Sequence, residues 1–285
     1  MIYLERFRFS MSEGVGDYRG DMTCFDTMYP FGILSRNEFT KADFEPITIF
    51  YGGNGSGKST ALNVIAEKLG LERDTLYNRS DFFEDYLKWC QYETRMPVPA
   101  GSRIITSDDV FDYMLNLRMV NNGIDRRREE LFGTYWDDQH AQFQLKSLDD
   151  YERLKQINLA RSKTPSKYIR KRLMDNVREQ SNGESASFYF ISKIQDGALY
   201  LLDEPENSLS PLRQKELVEY IENQARFFDC QFIIATHSPF LLAMRDARVY
   251  DLDEKPVRVR PWTELPSVRT YYEFFREHWD AFSEK

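Results

Sequence analysis

Three short apolar runs recur along the chain, each ending in glycine, acid or hydroxyl residues. They are Ile47-Thr48-Ile49-Phe50-Tyr51, Ala198-Leu199-Tyr200-Leu201-Leu202 and Gln231-Phe232-Ile233-Ile234-Ala235. Continuous β-branched and apolar runs of this length predict strands buried on both faces. After the first run, Ala61 to Leu69 spaces its apolar residues as a helix does. Between the second and third lies another helix: Ser210 as N-cap, Pro211 at the first helical position, and a stripe of Leu217, Val218 and Ile221. The alternation of buried strand and helix predicts an α/β fold, a mixed sheet flanked by helices. Residues 61–180 read as a mostly helical lobe, with breaks at Met96-Pro97-Val98-Pro99, Asn121-Asn122-Gly123 and Thr164-Pro165. Val249 to Asp253 and Val257 to Arg260 predict closing strands, and Arg269 to Phe282 an aromatic-rich C-terminal helix.

The polar ends of the runs carry the chemistry. Gly52-Gly53-Asn54-Gly55-Ser56-Gly57-Lys58-Ser59-Thr60 fits G-x-x-x-x-G-K-[ST] between a predicted strand and helix, the context that makes the pattern specific. Glycines let successive N–H groups turn inward around a phosphate, and the helix start adds its positive end. The reading is a P-loop for ATP. Gly52, Asn54, Gly55, Ser56, Gly57 and Thr60 form the cradle, Lys58 bridges the β- and γ-phosphates, and Ser59 holds Mg²⁺. The second run ends in Asp203-Glu204-Pro205-Glu206. Beside a P-loop, this predicts Asp203 as a magnesium ligand and Glu204 as the general base for the attacking water. The third ends in Thr236-His237-Ser238, which brings His237 within reach of the γ-phosphate. Ser181-Asn182-Gly183-Glu184, about twenty residues before Asp203, starts a predicted helix through Phe190 and forms an anion-binding cap.

In this order the elements resemble an ABC-type ATPase head of the SMC-like and RecF-like branch. The resemblance covers residues 1–60 and 181–255 and implies a single P-loop NTPase domain over 1–285. In that domain an inserted helical subdomain over 61–180 leads to a core part over 181–260 and a terminal helix over 261–285. It implies that Ser181, Gly183 and Glu184 meet the γ-phosphate held by a second subunit, and that Asn207 to Ser210 crosses the dimer seam. The chain departs from the usual Leu-Ser-Gly-Gly signature, reading Gln180-Ser181-Asn182-Gly183. Gln91 and the run Ser107-Asp108-Asp109 compete for the place of the sensor-loop glutamine. Tyr3 to Phe9, with Phe44 to Tyr51, resembles the antiparallel entry closing one edge of the sheet. The implied function is an ATP-driven dimerisation switch, a homodimer when ATP is bound, acting with a soluble effector in DNA repair, genome maintenance or anti-phage defence. A transporter ATPase docking on a membrane permease is the alternative; a phosphotransferase and a non-catalytic nucleotide-binding scaffold are further ones.

Composition narrows this less. The charged fraction of 29% and the aromatic fraction of 15% are those of an ordered globular chain. No apolar stretch is long enough to span a membrane, and Met1 to Phe9 alternates like a strand, so a cytoplasmic protein without membrane insertion is expected. Cys24, Cys90 and Cys230 are too scattered for a disulfide framework or zinc site. A net charge of −8 opposes general nucleic-acid binding and leaves two basic clusters as candidates, Arg126 to Arg128 and Arg161 to Arg172. A solvated helix face is the competing reading of both.

Overall fold

A computed structural model of the chain describes residues 1–11, 28–142, 151–170, 173 and 182–283. The chain forms two compact units, Met1–Val110 with Asn182–Lys285, and Phe111–Ser181. In the first unit the strands are β1 (Leu4–Arg8), β2 (Lys41–Asp43), β3 (Ile47–Tyr51), β4 (Gln91–Thr94), β5 (Arg103–Thr106), β6 (Leu199–Asp203), β7 (Gln231–Thr236), β8 (Arg248–Asp251) and β9 (Arg258–Val259). The principal helices of that unit are α1 (Ile33–Arg36), α2 (Lys58–Leu69), α3 (Phe83–Trp89), α7 (Asn182–Lys193), α8 (Pro211–Phe227), α9 (Pro239–Leu242), α10 (Pro266–Glu277) and α11 (Asp280–Ser283). Helix α4 (Ser107–His140) begins in this unit; α5 (Tyr151–Ser162) and α6 (Pro165–Arg170) belong to the second.

A six-stranded sheet has the order β5-β6-β7-β3-β8-β9. Every pair is parallel except β8 with β9, so the sheet is mixed, as expected. All residues of β3 and β7 are buried, which is why both read as unbroken apolar runs. Helix α2 lies against this sheet through Ala61, Leu62, Val64 and Ile65, all fully buried. The crossover helix α8 starts where predicted: Ser210 accepts the N–H of Arg213, and Pro211 opens the helix.

One expectation needs correction. The N-terminal strand does not close the edge of the main sheet with residues 44–51. It pairs antiparallel with β2 and β4 in a separate three-stranded sheet, Phe7 opposite Ala42 and Tyr92. The two sheets are tied by Tyr250 on β8, whose hydroxyl bonds the backbone of Asp43 on β2, and by Gln231, a fully buried side chain. Its Oε1 accepts from the N–H groups of Tyr3 and Leu4, and its Nε2 donates to the carbonyls of Leu4 and Glu45. Residues up to Val110 belong to the first unit and supply α2, α3 and two strands, leaving 111–181 as the separate unit.

The second unit has a small core of Leu131, Tyr135, Ala160, Tyr168 and Ile169. In it, Arg126 and Arg127 pair with Glu130, and Arg128 with Asp125, one helical turn away. Those short-range pairs fit a solvated helix face. Of the second basic cluster, Arg161 donates to the carbonyls of Gln139 and Ala141, while Lys167 and Arg170 are exposed; Lys171 and Arg172 lie outside the described residues. The terminal helix is divided into α10 and α11, and of α10 only Val268 is buried. Tyr271, Tyr272, Phe274, Phe275, Trp279 and Phe282 are exposed.

Candidate functional site

The site forms where β3, β6 and β7 end side by side. Because β6, β7 and β3 are adjacent and parallel, their carboxyl ends deliver Asp203, Thr236 and the P-loop to one edge, with Asp203 paired to Ala235 and Thr236 to Tyr51. Ligands of open α/β sheets bind in this kind of crevice.

The P-loop runs from Gly52 to the start of α2 at Lys58. Its curl depends on two glycines. A Cβ at Gly52 would stand 2.5 Å from Ser56 Oγ and 3.1 Å from Asp253 Oδ1. Gly57 has φ +97° and lies under Ile33 and Leu34 of α1. The loop is braced from outside. Asp253 accepts the Gly53 N–H with both oxygens, at 3.0 and 2.8 Å, and Asn37 Nδ2 donates to the carbonyls of Leu252 and Ser56. Lys58 is buried, and its ammonium donates to the carbonyls of Gly52 and Gly53. Asn54 and Gly55 lie at the exposed tip, while Ser56 and Thr60 are buried. The Tyr29 phenol is close to Thr60 and Asp203, and burial raises its pKa first of all, against a hydrogen bond with Thr60.

Ser59 and Asp203 meet: the hydroxyl donates to Asp203 Oδ1 at 3.0 Å. Burial pushes the Asp203 carboxyl up to about 6; the Ser59 hydroxyl opposes this, the Glu204 charge adds to it, and Lys58 opposes it in turn. Among the described residues there is no cluster of three or more His, Cys, Asp or Glu able to hold a metal alone. One hydroxyl and one carboxylate nevertheless fit Mg²⁺, which keeps several waters and takes phosphate oxygens as its other ligands. A cation at this desolvated carboxylate would offset the burial cost.

Glu204 sits at φ +48° in a tight turn whose N–H donates to the Ala235 carbonyl on β7. A non-glycine residue in this region is strained, and the turn holds its side chain over the crevice. Its Oε1 is 3.8 Å from Lys58 Nζ and 3.9 Å from His237 Nδ1, and Oε2 accepts from Asn207 Nδ2. His237 is half exposed. The sequence candidates Lys58, Ser59, Asp203, Glu204 and His237 are therefore brought together.

The signature is placed less completely. Ser181 lies outside the described residues; α7 begins at Asn182 and includes Gly183 and Glu184. Glu184 lies 3.5 Å from the Arg213 guanidinium on α8. Of the sensor-loop candidates, Gln91 is exposed on β4 in the small sheet. Ser107 to Asp109 follow β5, whose last residue Thr106 is paired with Asp203, so this run stands at the crevice. Asp109 is buried and accepts from Thr106 N and Oγ1. Tyr29, Asp253 and Glu206 also belong to the site. Of these, only the acid three positions after Asp203 carried a signal in the motif itself.

A family model described as "AAA domain, putative AbiEii toxin, Type IV TA system" matches residues 170–243, the stretch holding α7, β6, α8 and His237. No curated protein matches the chain significantly. Among solved structures, the chain is similar to the Smc head domain with an extended coiled coil bound to the C-terminal domain of ScpA, from Pyrococcus furiosus. That match has 13% identity and TM-score 0.44, covering 97% of this chain and 99% of that one. The SMC head domain from Thermotoga maritima matches with 14% identity and TM-score 0.38, over 91% and 99% of the two chains. A dimeric ATP-binding cassette in a post-hydrolysis state bound to ADP and Pi matches with 12% identity and TM-score 0.37, over 79% and 90%. In the order of its motifs, the P-loop, then Asp203-Glu204, then His237, this chain resembles a P-loop ATPase head of the ABC and SMC kind.

Proposed function

We propose that the chain hydrolyses ATP with Mg²⁺ and that ATP joins two copies through a pair of composite sites. The observation that carries the reading is the placement of Glu204. Its carboxylate stands between Lys58 and His237, at 3.8 and 3.9 Å, one residue beyond the Ser59–Asp203 pair. Lys58 neutralises phosphate charge, and the N–H groups of the loop and of the first turn of α2 bind the β-phosphate. Ser59 and Asp203 would hold Mg²⁺, which when bound neutralises charge on the β- and γ-phosphate oxygens. Glu204 accepts the proton of the attacking water, and His237 stabilises the departing γ-phosphoryl group. The α7 start, with Ser181, Gly183 and Glu184, serves the γ-phosphate of a second copy. Ser107 to Asp109 is the sensor segment, since β5 delivers it beside Asp203.

Loss of the γ-phosphate removes contacts to both copies and releases the dimer. Glu204→Gln preserves the shape of the site and removes the base, so it should accumulate an ATP-bound dimer. Light scattering with ATP and Mg²⁺ tests this: a variant that stays monomeric removes the composite-site reading. Within this reading the switch works with a soluble effector in DNA repair, genome maintenance or anti-phage defence. The uncovered aromatics of α10 support a protein partner. Identifying what co-purifies with the native protein tests that, and recovery of a permease would favour the transporter alternative.

A further inference from the structure

The acidic motif on β6 contains a second buried carboxylate that the hydrolysis scheme leaves unused. Glu206 is 6% exposed. Three donors converge on its Oε1: Thr236 Oγ1 at 2.6 Å, His237 N at 3.0 Å and Ser238 N at 3.2 Å. The same oxygen is 3.4 Å from His237 Nδ1. Its Oε2 is buried and has no hydrogen-bond partner. A buried carboxylate with one unsatisfied oxygen weighs against the fold.

The convergence has a geometric consequence. Thr236, His237 and Ser238 form the bend at the end of β7, and all three are held by one atom on the neighbouring strand's loop. The bend is held from its other side as well. Ser238 Oγ donates to Gln214 Oε1 on α8, at 2.6 Å, and Gln214 Nε2 donates to the Leu209 carbonyl. The backbone of His237 is thus fixed while its ring is half exposed and faces Glu204. Nδ1 of the ring lies 3.4 Å from Glu206 Oε1 and 3.9 Å from Glu204 Oε1, so the two carboxylates flank the same edge of the imidazole.

We propose that Glu206 is a positioning residue that fixes the bend bearing His237 and aims its ring at the nucleotide. The proposal rests on the reading of His237 as a group acting on the γ-phosphate. It requires Glu206 to act through His237, which a purely structural role does not.

A double-mutant cycle on the full-length chain separates the two. Steady-state ATP hydrolysis is measured for wild type, Glu206→Ala, His237→Ala and the double variant, with Glu206→Gln as the conservative replacement. Glu206→Ala is expected to lower kcat roughly tenfold or more, with KM changed less than about threefold. Adding it to His237→Ala should cost less than about twofold further, because the residue it orients is already gone. Glu206→Gln keeps an oxygen toward the three donors and should recover activity to within about threefold of wild type. Should Glu206→Ala fail to fold, Glu206→Asp, which withdraws the oxygen by one methylene, takes its place in the cycle. Losses that multiply in the double variant, or a raised KM with kcat intact, overturn the role. Absence of turnover in the wild type overturns the ATPase reading and this role together, whereas turnover with multiplying losses overturns this role alone.

Discussion

Asp203 accepts the hydroxyl proton of Ser59 across 3.0 Å, joining the end of β6 to the first turn of α2. This carboxyl is pushed up to about 6 by burial, above its ordinary value of 3.8. A carboxyl with a raised folded-state pKa binds its proton more tightly when folded, so its contribution favours folding at low pH. The contribution is complete below pH 3.8 and is lost as pH rises through about 6. Asp203→Asn removes the ionisation and keeps an acceptor for Ser59. The variant should therefore be more stable than wild type at pH 7, by on the order of 3 kcal/mol, and by less than about 1 kcal/mol at pH 4. Urea unfolding without nucleotide at the two pH values checks this. Equal differences at both would show that the carboxyl is not desolvated.

The P-loop glycine that matters most for shape is Gly52. A methyl there would meet Ser56 Oγ at 2.5 Å and Ser56 Cβ at 2.8 Å. Ser56 is itself buried inside the turn and has little room to yield. Gly52→Ala should open the turn and weaken ATP binding by roughly 100-fold, since misplaced amides lose charge-assisted hydrogen bonds worth about 1.5–3 kcal/mol each. Titration with a fluorescent ATP analogue reads the affinity, and an unchanged value would mean that the loop does not cradle phosphate.

Much of this site was readable from the chain alone, because its elements are local. A strand buried on both faces shows as a continuous apolar run, and the turn after it shows as glycine and hydroxyl residues. Both signals are present at Ile47 to Ser59 and at Leu199 to Glu204. What escaped depends on distant pairing. Strand β4 is exposed at all four of its residues, so no periodicity marks it; it exists because β1 offers it hydrogen bonds. Asp253 reaches Gly53 across 200 residues, and nothing in its neighbourhood signals a P-loop brace. Strand β5 is a second case: only Ile104 and Ile105 are buried in it, too short a run to mark a strand, and its place beside β6 is a tertiary fact.

Two opposite effects meet at Asp253. Its carboxylate holds the Gly53 amide, which favours the P-loop shape, and its charge repels a triphosphate. At about 8 Å in water the repulsion is worth about 0.5 kcal/mol per unit charge, about 1 kcal/mol for magnesium-bound ATP, less than the charge-assisted hydrogen bond at about 1.5–3 kcal/mol. Asp253→Ala should therefore weaken ATP binding by roughly three- to tenfold. Asp253→Asn keeps an acceptor and drops the charge, so its affinity should equal that of wild type or exceed it slightly. Isothermal titration with ATP separates the cases, and tighter binding by the alanine variant would make repulsion the larger effect.

Gln231 gives the sharpest test of how the two sheets are joined. Four backbone groups depend on its amide: the N–H of Tyr3, the N–H and carbonyl of Leu4, and the carbonyl of Glu45. Leu4 is fully buried, so water cannot replace the lost partners at that residue. Gln231→Leu has nearly the same volume and leaves these groups unpaired. Each buried unsatisfied group costs about 1–3 kcal/mol, so the variant should lose about 3 kcal/mol or more. Since Gln231 bonds the start of β1 directly, while Tyr250 and Arg248 of β8 hold β2 at Asp43, hydrogen exchange at Leu4 to Arg8 should accelerate more than exchange in β3 or β7. Chemical unfolding gives the first quantity and native-state exchange the second. A uniform rise in exchange across both sheets would mean that the three-stranded sheet and the main sheet unfold as one unit, with Gln231 contributing to the whole rather than to the joint.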